Sequence, residues 1–110
     1  MASLPDVTDA GFDAQVLHAE GTVVVDCWAP WCGPCLALTP HLERLADSLP
    51  GGTCLVKLDV ESQTETATRL RIRGLPVLIA FRAGREIARL REAKSPAAVK
   101  RWLQALNGSE

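Results

Sequence analysis

Two of the four cysteines in this 110-residue chain stand close together, at Cys32 and Cys35, separated by Gly33 and Pro34. A pair with that spacing is suited either to disulfide exchange or to holding half of a tetrahedral metal site. Exchange needs one accessible thiol with thiolate character and a second thiol near enough to resolve the mixed disulfide. A zinc site needs four ligands, usually from two close pairs. Cys27, Cys54, His18 and His41 are scattered along the chain and supply no second pair. The spacing therefore points to redox chemistry, with no metal and no bound cofactor expected.

For that chemistry Cys32 belongs at the start of a helix, where free backbone N–H groups and the helix dipole favour a negative sulfur. Two intervening residues then set Cys35 one turn further in, shielded from solvent. Gly33 permits the close approach, and Pro34 fits a first turn because no amide donor is required there. Cys32 is thus the expected nucleophile and Cys35 the resolving thiol, which needs a proton acceptor. Asp26 is the candidate, since a carboxylate within the aliphatic run 23–28 has its pKa raised by desolvation. Lys57, at the end of the next β-prone run, is placed to hold that carboxylate electrostatically.

The elements that must position these groups alternate. Residues 23–28, 53–58 and 76–81 read as buried strands. Leu4–Val7 contains Pro5 and reads as an edge strand, and residues 87–91 alternate apolar with charged as a protected edge does. A helix is expected from Pro34 to Leu49, with Leu38, Leu42, Leu45, Ala46 and Leu49 on one stripe and a kink at Pro40. A weaker, Thr-rich helix spans 62–71. Ser95-Pro96 opens a last one, whose buried face is Val99, Trp102, Leu103 and Leu106. The order β-α-β-α-β-α-β-β-α implies an α/β domain with a five-stranded mixed sheet and helices on both faces.

The run Trp31-Cys32-Gly33-Pro34-Cys35, preceded by Val25-Asp26, resembles the active-site unit of the thioredoxin family. Further similarity lies in Phe12, Pro40, Lys57-Leu58-Asp59, Ile72-Arg73-Gly74-Leu75-Pro76 and Phe81 with Gly84. The resemblance implies one thioredoxin domain over residues 1–110, with a central five-stranded sheet flanked by four α-helices. It implies a protein-disulfide reductase in which Pro76 is a cis-proline facing the cysteines and the backbone at Leu75 pairs with an extended substrate segment. Trp31, Gly33, Pro34, Gly74, Leu75 and Pro76 would form an apolar docking patch. It also implies an NADPH-dependent flavin reductase as electron donor and disulfide-containing proteins as substrates. If Asp26 and Lys57 are cross-strand neighbours, Cys27 and Cys54 share a face but lie out of disulfide reach, as small buried hydrophobes.

Four positions depart from the family pattern. Cys27 stands where a large aromatic is usual, Leu36 where a basic residue is common, and Val77 where Thr is usual. Glu92 replaces a common Gly on a loop flanking the cysteines, where a carboxylate disfavours a thiolate and crowds partners. Glu92 and the basic C-terminal half keep open a thioredoxin-fold binding module or chaperone-like subunit, and a reductase dedicated to one partner.

Composition agrees with a soluble globular protein: 47% of residues are hydrophobic and 23% charged, with a formal net charge of -1. No run approaches the roughly 20 apolar residues of a membrane span. The N-terminal dozen residues lack the basic opening and apolar core of a signal peptide, so a cytoplasmic location is expected. Residues 1–68 hold ten of the 13 acidic residues and only Arg44 and Lys57 among the bases, whereas 69–101 hold the other ten bases against Glu86 and Glu92. Such a half reads first as an unspecialised solvated surface, with acidic partners as the alternative. No membrane or nucleic-acid partner is expected, and balanced charge with short edges implies a monomer.

Overall fold

The computed structural model describes residues 3–106. Four strands, β1 (Thr22–Trp28), β2 (Thr53–Asp59), β3 (Val77–Arg82) and β4 (Arg85–Arg91), form one sheet in the order β2-β1-β3-β4. β1 runs parallel to β2 and antiparallel to β3, and β4 is antiparallel to β3. β1 is central because its run of β-branched residues can be buried on both faces, and all its residues but Trp28 are buried.

The sheet has four strands, not the expected five. Leu4–Val7 makes a single parallel bridge, Asp6 to Lys57, in which the Lys57 N–H donates to the Pro5 carbonyl and the Val7 N–H to the Lys57 carbonyl, each at 2.8 Å. Pro5 has no amide hydrogen, so the ladder ends where it begins. Buried Leu4 and Val7 anchor the segment instead.

Of the four helical segments, the first is a five-residue π-helical turn, Asp13–Leu17. The others are α1 (Gly33–Ala46), α2 (Thr64–Arg69) and α3 (Pro96–Leu106). α1 continues through exposed Pro40 and stops at Ala46, short of Leu49. Its stripe packs with Val99, Leu103 and Leu106 of α3 on one sheet face, around Val24, Leu55 and Leu78. Trp102 is only partly buried there. α3 starts as its sequence demands: Ser95 Oγ accepts from the Ala98 N–H at 3.2 Å and Pro96 is the first helical residue. The opposite face is filled by Phe12, Val16, Val23, Val25, Ile79 and Phe81. Phe12 and Phe81 meet edge to face, with ring centroids 5.7 Å apart.

The register decides which residues share the face that α1 covers. Asp26 pairs with Lys57 on one side and Leu78 on the other, on the face that carries α1. Val23 pairs with Cys54, and Cys27 with Leu58, so Cys27 and Cys54 share the other face four positions out of step. Cys27 is buried, as expected. Cys54 is exposed, contrary to expectation, because it stands near the open end of the edge strand.

Candidate active site

The strand-to-helix junction is built by Ala29 to Cys35. Ala29 is fully buried, and its carbonyl accepts from the Cys32 N–H at 3.0 Å, folding the chain back so that Cys32 becomes the N-cap of α1. Cys32 has extended backbone angles, and its Sγ accepts from the Cys35 N–H at 3.2 Å. The Cys32 sulfur therefore occupies the place of a capping oxygen, receiving an otherwise orphaned helix donor. Cys32 and Cys35 are joined as a disulfide, with Cα atoms 5.3 Å apart.

The two sulfurs differ in what they face. Cys32, at 5% exposure, is more covered than a freely accessible thiol, yet it lines a shallow groove with Trp31, Gly33, Pro34, Val60, Ile72, Gly74 and Leu75. Cys35 does not reach that groove and is 1% exposed. Trp31 stands out into solvent, held by a 3.1 Å hydrogen bond from its Nε1 to Glu61. Leu75 packs against the two cysteines, and the Leu75–Pro76 peptide bond is cis. Pro76 is buried and forms no part of the groove lining; Leu75 and Gly74 present the surface. Val60 and Ile72 line the groove without having been assigned to it from sequence. Both also pack against the core cluster of one sheet face, so from sequence an apolar residue there reads simply as core.

Asp26 is 1% exposed, and neither carboxylate oxygen has a hydrogen-bond partner. Burial pushes its pKa up from 3.8 to about 7, against the opposing pull of the Lys57 charge. Lys57 is opposite it in the strand ladder but makes no ion pair with it; its Nζ lies 5.1 Å from the Trp28 ring centroid. Lys57 thus acts on Asp26 through its field. Trp28 Nε1 is a third buried polar atom without a hydrogen-bond partner. Glu92, exposed with φ 53°, stands next to Ala93, whose N–H donates to the Pro76 carbonyl at 3.0 Å. It flanks the cis-proline loop without entering the groove. Among the described residues no group of three or more His, Cys, Asp or Glu side chains is placed to hold a metal ion, and no helix is long and apolar enough to cross a membrane.

A capped sulfur open to a groove, with a buried partner sulfur behind it, defines a thiol–disulfide exchange centre. The thioredoxin family profile matches residues 3–105. The chain is 44% identical to Thioredoxin C-2 of Corynebacterium nephridii over 87 residues, 79% of this chain and 81% of that protein. It is 41% identical to a thioredoxin of Mycobacterium tuberculosis over 97 residues, 88% and 84% of the two chains. A protein of Mycobacterium leprae named bifunctional thioredoxin reductase/thioredoxin is 40% identical over 98 residues, 89% of this chain and 21% of that one. The chain belongs to the thioredoxin family, and it is a thiol–disulfide oxidoreductase with protein-disulfide reductase activity.

Proposed function

We propose that Cys32 attacks disulfides of other proteins, that Cys35 resolves the resulting mixed disulfide, and that Asp26 takes the proton from Cys35. The observation that carries this reading is the asymmetry of the pair: Cys32 opens on the groove and accepts the Cys35 amide, while Cys35 is enclosed. In the dithiol form the Cys32 thiolate attacks one sulfur of the substrate disulfide. That S–S bond breaks, a mixed disulfide forms, and the departing sulfur takes up a proton. Cys35 then loses its proton towards Asp26 and attacks the Cys32 sulfur, releasing the second substrate thiol. Two electrons have passed to the substrate, and the Cys32–Cys35 disulfide remains. Asp26 suits its part because its raised pKa lets it accept a proton near neutrality, and Lys57 tunes it through charge.

The surface around Cys32 serves as the dock. Trp31, Gly33, Pro34, Gly74 and Leu75 offer an apolar floor for an extended segment, with Leu75 offering its backbone and buried Pro76 supporting it. The disulfide is returned to the dithiol by an NADPH-dependent flavin reductase, a pairing supported by the relative whose name joins the two activities. A single domain working as a monomer in the cytoplasm fits this carrier role.

Insulin reduction with dithiothreitol tests the assignment. Cys32→Ser abolishes turnover, and Cys35→Ser accumulates mixed disulfides through Cys32. Turnover by Cys32→Ser at the parent rate would remove Cys32 as nucleophile. At neutral pH the reduced protein is alkylated at Cys32 faster than at Cys54; equal rates would remove the activated thiolate.

A further inference from the structure

We propose that a basic concavity beside the active-site groove is a subsite for acidic side chains of the substrate polypeptide, close in sequence to the disulfide being reduced. The proposal rests on the redox reading above and names the substrate class that reading leaves open.

The concavity has a volume of about 540 Å³, and Arg69, Arg71, Arg73, Arg89 and Arg91 line it with one carboxylate, Glu86. That carboxylate is already engaged. Arg89 donates from Nε and Nη2 to its two oxygens at 2.8 and 2.7 Å, and from Nη2 to the Leu70 carbonyl at 2.9 Å. Arg69 is occupied as well, paired with Asp13 at 2.8 Å and lying 5.3 Å from the Phe12 ring centroid. Arg71, Arg73 and Arg91 are exposed, and among the described residues they make no hydrogen bond or ion pair through their side chains. Five guanidinium groups therefore share one hollow with a single carboxylate, Glu86, which is hydrogen-bonded to Arg89 and also feels the charge of Arg91. Gathering them costs repulsion that a bound anion relieves.

Their placement links this hollow to the cysteines. Along 70–75 the chain divides its side chains between two recesses: Ile72, Gly74 and Leu75 line the Cys32 groove, while Leu70, Arg71 and Arg73 line the basic one. Arg91 is paired in the ladder with Val77, directly after Pro76. The subsite acts if a polypeptide lying over Leu75 runs from one recess into the other. The guanidinium fork matches a carboxylate in two hydrogen bonds. Exposed contacts of this kind are individually weak, which suits several carboxylates on one flexible strand better than a single gripped anion.

The test uses peptides with one disulfide loop, flanked on either side by four Asp or by four Ser. At low ionic strength the protein reduces the Asp peptide with kcat/KM about tenfold higher on at least one flank, carried by KM, and added salt shrinks the ratio. The Arg71→Gln, Arg73→Gln, Arg91→Gln triple variant loses that preference and reduces the Ser peptide at the parent rate, which also shows that it is folded. Equal kcat/KM for Asp and Ser peptides on both flanks, or a preference that survives the triple variant, overturns the subsite. Inhibition of Ser-peptide reduction by inorganic phosphate at fixed ionic strength, absent in the variant, would assign the hollow to small anions and overturn it too. If the parent protein reduces neither peptide, the redox reading falls first and takes the subsite with it.

Discussion

Replacing Asp26 with Asn removes a carboxylate that the fold buries without a single hydrogen-bond partner. Its pKa rises from 3.8 to about 7, with desolvation as the main cause and the Lys57 charge in opposition. At about 1.4 kcal/mol per unit, that gap sets a ceiling of about 4 kcal/mol on what ionising Asp26 takes from stability. Because the folded pKa lies above the unfolded one, the folded state binds the extra proton. Stability is therefore full below pH 3.8, declines as pH rises towards about 7, and is flat beyond. Between pH 5 and 8 the parent protein is expected to lose about 3 kcal/mol. Asp26→Asn abolishes that slope and at pH 8 is the more stable protein, by an amount reduced by about 1 kcal/mol for its own unpartnered amide. Urea unfolding of the oxidised form at the two pH values reads this directly, since no free active-site thiol titrates there. A parent stability equal at pH 5 and pH 8 within about 1 kcal/mol would refute a carboxyl group held protonated by burial. The same variant slows resolution of the mixed disulfide above neutrality, and a rate unchanged in quenched-flow experiments would leave Asp26 a purely structural cost.

Other consequences are narrower. Glu61→Ala removes the acceptor that holds Trp31 over the groove; KM for a protein disulfide rises about two- to fivefold with kcat unchanged, and steady-state kinetics with an unmoved KM would discount the latch. Glu92 holds φ 53°, so Glu92→Gly stabilises by about 1 kcal/mol in urea unfolding, and no gain would mean the turn relaxes without strain. Gly21, at φ 75°, has no room for a Cβ, which would collide with the Gly52 carbonyl that also accepts the Thr22 N–H. Gly21→Ala therefore costs about 2 kcal/mol or more, and an unchanged urea midpoint would show that the β1–β2 corner gives way.

The site was legible in the sequence because its chemistry is local. Trp31 to Cys35 fixes the capped sulfur, and Asp26 announced itself as a charge inside an aliphatic run. The strands were legible wherever residues are β-branched and buried on both faces. Legibility failed where the outcome depends on partners distant along the chain. Leu4–Val7 has strand-like residues, but Pro5 and the reach of β2 decide that only one bridge forms. Cys54 has the composition of a core position, yet its place at the end of an edge strand leaves it exposed. Pro76 carries a docking motif, although the surface it supports is offered by Leu75 and Gly74. The engagement of Arg69 and Arg89 by acids, which leaves Arg71, Arg73 and Arg91 unpaired, could not be read from charge counts at all.

The two remaining sulfurs show how much of a redox protein's work lies in keeping thiols out of the reaction. Cys27 follows Asp26 in β1 and so points to the opposite face of the sheet, into the core. Burial first, and the Asp26 charge second, hold its thiol far above the ordinary range. Cys54 is exposed but sits on a strand, with no helix N–H aimed at it, and partial burial raises its pKa as well. The ladder sets the two four residues apart on adjacent strands, roughly 13 Å at about 3.3 Å per residue, beyond disulfide reach. Neither can close on the other, and among the described residues neither sulfur accepts a helix N–H in the way that of Cys32 accepts the amide of Cys35. A cysteine at position 27, where an aromatic is usual in this family, is therefore compatible with a dithiol carrier: the same low-polarity strand that raises the pKa of Asp26 keeps Cys27 protonated and inert.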